Sequence, residues 1–204
     1  MARYTGPRLR KLRALDCDLP GLTPKRSDRL YPPGQHGPSR RRPSSRQSPY
    51  KLQLVEKQKL RFNYGLPEGQ LRRLYEKASR SRGNTGDELV VLLERRLDNV
   101  VFRAGFARSI PAARQLVVHG HVRVNGRKVD RPSFRVDAGM VINLREKMRK
   151  HALVQATWEQ PVLQRPEWLA PVDDAQTVRV ERLPAADETP LEVQPQLVVE
   201  WYSR

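Results

Sequence analysis

The chain of 204 residues carries 39 Lys and Arg against 22 Asp and Glu, a formal net charge of +17. A surplus of that size requires a polyanionic partner or a standing self-repulsion. At 38% hydrophobic residues the chain is leaner than a typical globular protein but too apolar to be wholly disordered. One core of about a hundred residues with basic extensions fits that figure. No run of about 18 apolar residues is present, so no transmembrane span is expected. The prolines and few apolar residues of the basic N-terminal stretch argue against an amphipathic helix on a membrane, so no membrane partner is expected. The opening Met1-Ala-Arg-Tyr-Thr-Gly-Pro-Arg8 lacks the apolar stretch of a secretory signal. Cys17 is the only cysteine, which leaves an internal disulfide or a multi-cysteine metal site without partners and makes a reducing compartment the expectation.

The charge is uneven. Residues 1–50 carry +9, residues 51–100 carry +4, residues 101–150 carry +9 and residues 151–204 carry −5. Thirty of the cations are arginine, whose planar fork suits phosphates and base stacking better than the point charge of lysine. Two positive poles read as a nucleic-acid binder gripping at two places. The anionic tail is expected to face solvent or a protein neighbour.

Residues 1–49 read as an extended basic arm. Eight prolines, with Gly34 and Gly37 in Tyr31-Pro-Pro-Gly-Gln-His-Gly-Pro38, argue against a long helix or a central strand. Arg40-Arg-Arg-Pro-Ser-Ser-Arg46 adds charge without a core, so the arm alone is expected to be disordered and to fold against a partner. From Tyr50 helical spacing begins. Leu52, Val55 and Leu60 lead one helix to about Gly65, and Pro67 opens a second with Leu71, Leu74, Tyr75 and Ala78 on one face. Thr85-Gly-Asp-Glu88 has capping-box spacing for a longer third helix, whose stripe runs from Leu89 to Val101 and stops at Gly105. Residues 50–92 are therefore a helical domain, completed by about 190–204.

Ser109 caps a short helix with Ile110, Ala113, Leu116 and Val117 on its apolar face and Gly120 at its end. Val122-Arg-Val124 alternates, Asn125-Gly126 favours a type I′ hairpin turn, and Met140 to Arg145 alternates again. Residues 93–189 form a module and a following β/loop region, with a helix pair and antiparallel sheet as the module core over 93–150. The fold class is α+β. A weak helix near 151–158, proline-broken strands and a docked apolar end at 196–204 complete the chain. Trp158, Trp168 and Trp201 are expected to pack rather than to stack bases.

Arg108, Arg114 and Gln115 on the short helix, His119 and His121 around its end, and Arg123, Asn125, Arg127 and Lys128 at the hairpin form the sharpest cluster. Arg114 lies off the apolar stripe and is expected beside the hairpin tip. Such a surface suits RNA shape, phosphates and 2′-hydroxyls more than base edges. Further candidate RNA contacts are Arg3, Arg8, Arg10, Lys11, Arg13, Lys25, Arg26, Arg40, Arg41 and Arg42 in the arm, and Lys59, Arg61, Arg72 and Arg73 in the helical domain. His119-Gly-His121 has too few ligands for a metal site, so neither metal nor cofactor is expected.

The span Glu94-Arg-Arg-Leu-Asp-Asn-Val-Val-Phe-Arg-Ala-Gly-Phe106, then Ile110-Pro-Ala-Ala-Arg-Gln-Leu-Val-Val-His-Gly-His121 and Val124-Asn-Gly126 resemble the family of small-subunit ribosomal protein four of bacteria and plastids. Pro32-Pro-Gly-Gln-His-Gly37, Glu56-Lys-Gln-Lys-Leu-Arg-Phe-Asn-Tyr-Gly65 and Val198-Val-Glu-Trp-Tyr-Ser-Arg204 extend the likeness in the same order. The resemblance implies a non-enzymatic primary binder of small-subunit ribosomal RNA that nucleates assembly of the subunit body. It also implies contact with small-subunit ribosomal protein five, a functional link with protein twelve in translational accuracy, and a basic surface near the messenger RNA entry passage. The implied location is the small ribosomal subunit, in the bacterial cytoplasm or the plastid stroma. Two departures are Cys17 standing alone where some relatives bind metal through four cysteines, and Gln194-Pro195 ahead of the last motif. Arg96-Leu-Asp98 matches part of a pseudouridine synthase motif and defines the alternative, a free-standing RNA-modifying enzyme with Asp98 as nucleophile. Lacking the Thr-Ser-Gly that follows it in those enzymes, Asp98 is read with Arg95 and Arg96 as a helix-surface or interdomain ion-pair partner.

Overall fold

A computed structural model of the chain describes residues 4–29, 31–38, 48–172 and 176–204. Two compact units divide it, residues 1–89 with 191–204, and residues 90–190. The helices in chain order are α1 (Arg8–Leu15), α2 (Pro49–Asn63), α3 (Glu68–Ala78), α4 (Thr85–Glu94), α5 (Leu97–Arg103), α6 (Ile110–Val118), α7 (Glu146–Arg149), α8 (Ala152–Glu159) and α9 (Pro195–Tyr202). The strands are β1 (Val122–Val124), β2 (Arg127–Lys128), β3 (Val141–Leu144), β4 (Leu169–Pro171) and β5 (Thr177–Val180). Helices and one antiparallel sheet make an α+β architecture.

In the first unit α2 starts because Ser48 accepts from the Lys51 amide at 3.3 Å and Pro49 occupies the first turn, where its missing N–H is no loss. Its inner face is polar rather than the expected Leu52 and Val55 stripe. Gln53, Glu56, Lys57, Leu60 and Asn63 are buried, while Leu52 is 42% exposed. The reason is α9, whose Glu200 accepts from Gln53 Nε2 at 2.9 Å, and the Gln194 amide ahead of it, which donates to Glu56 Oε2 at 2.8 Å. Pro195 sits in the first turn of α9, so the departure at Gln194-Pro195 starts that helix. Inward-facing Leu71 and Ala78 bury α3, and Tyr75 stacks on Tyr202 at 4.9 Å.

The arm departs from the disordered expectation. Arg8–Leu15 is helical, and Leu12, Leu19 and Leu22 are at most 5% exposed. Asn63 Oδ1 accepts from the Gly21 amide at 2.8 Å, and Arg13 donates to the carbonyls of Tyr31 and Pro32 at 3.0 and 3.1 Å. Burying leucines of this kind is worth about 1.5–3 kcal/mol each, enough to order a proline-rich segment. Arg3 and Arg40, Arg41 and Arg42 lie outside the described residues.

The expected long third helix is two. Asn84, not Thr85, caps α4, its Oδ1 accepting from the Gly86 amide at 2.9 Å. At Arg96 the backbone turns extended, with φ −70° and ψ 137°. The amides of Leu97 and Asp98 donate to the carbonyls of Phe134 and Pro132 at 2.9 and 3.2 Å, and Val136 donates to Arg95 at 2.9 Å. The 132–136 segment thus takes the hydrogen bonds that would have continued the helix.

The sheet of the second unit is antiparallel throughout, in the order β2-β1-β3-β5-β4, so strands beyond residue 150 complete it. Asn125 and Gly126 carry φ of 49° and 77°, the pair of left-handed residues that a type I′ turn needs. Val122, Val124, Ile142, Leu144, Val178 and Val180 point to one face and are at most 5% exposed. Ser109 caps α6, as read, and Ile110, Ala113 and Val117 join the core. The tryptophans pack. Trp168 is 1% exposed, Trp158 stacks on Phe106 at 5.2 Å beneath the Arg165 guanidinium, and Trp201 lies 4.9 Å from Tyr50.

Candidate nucleic-acid interface

Alternation in β1, β3 and β5 leaves the second face of the sheet with Arg123, Asn143, Thr177 and Arg179. Lys128 is the register partner of Arg123, so two exposed cations stand directly opposite one another. Like charges in that arrangement destabilise a strand pair unless an anion intervenes. Among the described residues no carboxylate lies within ion-pair distance of Arg108, Arg123, Arg127 or Lys128. Gln115 and His119 are exposed on and just beyond α6, and His121 is half-buried with its ring 6.0 Å from that of His119. Gly120 between them takes φ +71°, and the Lys128 stem lies where a Cβ would stand. Burial first, then the His119 and Arg145 charges, hold the His121 imidazole below its ordinary pKa of 6.5.

Arg114, expected beside the hairpin tip, is engaged by a carboxylate on α5. Its Nε and Nη2 donate to Asp98 Oδ2 at 3.0 and 2.7 Å, and its side chain is 12% exposed. The 3.6-residue period placed it off the stripe correctly, but a long side chain can reach back to a buried acid. Asp98 is 0% exposed and also accepts from Arg96 Nε and Nη2 at 3.0 Å each and from the Asn99 amide at 3.1 Å. It is a buried intramodule anchor, not a helix-surface or interdomain partner. With its oxygens occupied by two guanidinium groups it offers no free lone pair for nucleophilic attack. Arg95 pairs with Asp137 inside the same unit. Asn125 is also structural, because its Oδ1 accepts from the Val141 amide at 2.8 Å and holds the hairpin tip to β3.

The first-unit candidates divide in the same way. Arg10, Lys25 and Arg73 are exposed. Arg8 reaches the Leu22 carbonyl at 3.4 Å, Lys11 lies 4.6 Å from the centroid of Phe62, and Arg13 is held by Tyr31 and Pro32. Arg26 faces Asp18 at 3.5 Å, Lys59 Nζ lies 2.6 Å from Glu56 Oε1, Arg61 reaches Gln58 at 3.4 Å, and Arg72 pairs with Glu76 at 3.2 Å. Exposed cations that sequence reasoning passed over include Arg131, Arg145, Lys147 and Arg179 in the second unit and Lys77 and Arg80 in the first. The signal for Arg179 was available, since Thr177-Val-Arg-Val180 alternates as Val122-Arg-Val124 does. Among the described residues no group of three or more His, Cys, Asp or Glu is gathered for a metal ion, and no helix is long and apolar enough to cross a membrane.

Residues 3–94 match the model of the ribosomal protein S4/S9 N-terminal domain, and residues 95–142 match that of the S4 domain. The chain belongs to the S4 family of ribosomal proteins. Three relatives bear the name small ribosomal subunit protein uS4. That of Methylobacillus flagellatus is 52% identical over 100% of this chain and 98% of its own. That of a Nocardioides species is 50% identical over the whole of both chains, and that of Synechococcus elongatus 51% identical over 100% and 99%. Two matched segments meeting at residues 94 and 95 account for almost the full first 142 residues, and a ribosomal rather than an enzymatic family is the result. The modifying-enzyme alternative finds no support there, in agreement with the engaged carboxylate of Asp98.

Proposed function

We propose that this S4-family chain binds small-subunit ribosomal RNA as a primary assembly protein, nucleates folding of the subunit body and contributes to translational accuracy. The observation that carries the reading is the uncompensated cationic face of the second unit's sheet, with Arg123 and Lys128 opposed across the hairpin and Arg179 on the same face. Phosphate neutralisation and counterion release supply affinity, while the rigid sheet supplies shape selection. Arg114 and Asn125 serve this surface by holding it in place. The acidic C-terminal quarter suits a protein neighbour, for which small-subunit ribosomal protein five is the candidate, with a functional link to protein twelve. A cationic surface toward incoming messenger RNA belongs to the same proposal, as does residence in the small subunit of a bacterium or plastid.

Titration of the full chain with a transcript of small-subunit ribosomal RNA tests the reading. With about 6–10 phosphates contacted, affinity falls on the order of 10³–10⁵-fold between about 50 and 200 mM salt. A flat salt response, or failure of the chain to sediment with small subunits, overturns it.

A further inference from the structure

We infer that the groove between α3 and the start of α4 is a separate phosphate-binding subsite that holds the backbone of one RNA strand. This rests on the RNA-binding reading above and adds residues and a location to it. The groove is a shallow, open one of about 600 Å³, lined by Arg73, Glu76, Lys77, Arg80, Ser81 and Glu88. All of these residues belong to the first unit.

Helical spacing makes the stripe. Leu71 and Ala78 are buried and Tyr75 stacks on Tyr202, which fixes the inner face of α3. Arg73 and Lys77, at i and i+4, then share an outer face, and Arg80 continues the line just past the helix end. At a rise of ~1.5 Å per residue the three span on the order of 10 Å, a length that successive phosphates of one strand can follow. All three are exposed, and none is within ion-pair distance of an acid among the described residues. Glu76, which also lines the groove, is engaged by Arg72 at 3.2 Å, four residues back along the helix. Of the two adjacent arginines, Arg72 is therefore the compensated residue and Arg73 the available one.

The remaining lining favours RNA over an acidic protein segment. Glu88 and the Ser81 hydroxyl place an acceptor and a donor beside the cations. The Glu76 and Glu88 carboxylates repel an acidic side chain and a phosphate alike. A ribose, however, brings a 2′-hydroxyl donor to them next to every phosphate, which an acidic side chain lacks. The groove wall is also rigid, because the Asn84 cap and the Glu88 amide donating to the Asn84 carbonyl at 3.0 Å hold the start of α4.

The test uses the full chain, a transcript of small-subunit ribosomal RNA, and polyglutamate as a second probe. In the triple variant Arg73→Gln, Lys77→Gln, Arg80→Gln the slope of log affinity against log salt becomes shallower by roughly 2, and affinity near 0.1 M salt falls on the order of 10–10²-fold. Arg72→Gln leaves both nearly unchanged, and the charge-keeping triple Arg73→Lys, Lys77→Arg, Arg80→Lys restores the slope. All the substitutions are at exposed positions, and unaltered thermal melting checks that the fold persists. A steep wild-type slope that the triple variant leaves unchanged overturns the subsite while sparing the RNA-binding reading. A flat wild-type slope overturns that reading itself. Loss of polyglutamate binding with RNA binding intact assigns the groove to an acidic protein and overturns the RNA assignment.

Discussion

Asp98 on α5 holds the guanidinium of Arg114 on α6 through two hydrogen bonds of 2.7 and 3.0 Å, at a carboxylate 1% exposed. The same carboxylate takes the fork of Arg96 from the extended residue between α4 and α5. One acid thus ties the helix break and the helix pair together. Its removal takes a shared carboxylate away from two guanidinium groups whose side chains are 6% and 12% exposed. Breaking a buried pair in this way costs about 3–5 kcal/mol. Asp98→Ala is therefore expected to lose that much in urea unfolding, and a loss below about 1 kcal/mol would contradict the anchoring role.

Arg114 and Arg127 separate stability from binding. Arg114→Ala lowers the unfolding midpoint, and its effect on RNA affinity follows from that loss. Arg127→Ala, at an exposed hairpin position, leaves the midpoint unchanged and makes the salt slope shallower by about 1. The reverse pattern in paired unfolding and RNA titrations would return Arg114 to the interface.

His121 makes opposite predictions for folding and binding. Burial, His119 and Arg145 depress its folded pKa below 6.5, so the unfolded chain takes up the proton first. This contribution to stability is intact above pH 6.5 and is lost as pH falls through the depressed value. RNA phosphates favour the imidazolium, so affinity rises over the same descent. In the double variant His119→Gln, His121→Gln the gain in affinity disappears; a wild-type affinity that stays level down to about pH 5.5 would sink the idea.

Cys17 is half-buried, and that burial, with smaller opposing and supporting charges around it, pushes its thiol up to about 11. The thiolate is the nucleophile, so alkylation by iodoacetamide near neutral pH is slow in the folded chain and speeds up in urea. Equal rates in both conditions would show that the arm is not docked over this residue.

The helix and strand periods were legible locally because each depends on residues a few positions apart. Ser48 and Ser109 start α2 and α6, and Asn125-Gly126 turns the hairpin, as their side-chain chemistry requires. Leu12, Leu19 and Leu22 were obscured by the prolines around them, although each is buried. The α4–α5 break left no mark on the apolar stripe, because its cause is the backbone of residues 132–136, distant along the chain.

By itself the amino-acid sequence determined the family, the α+β class and the location of the charge, since motif order, periodicity and composition are properties of neighbours along the chain. Only the tertiary structure decided which cations are free to meet an anion. Arg114, Lys59 and Arg72 meet acids within the protein, whereas Arg123, Lys128, Arg73 and Arg179 are exposed without one among the described residues. An arginine side chain is long enough to choose between water and a carboxylate several residues away. That choice is made by packing, and no local pattern records it.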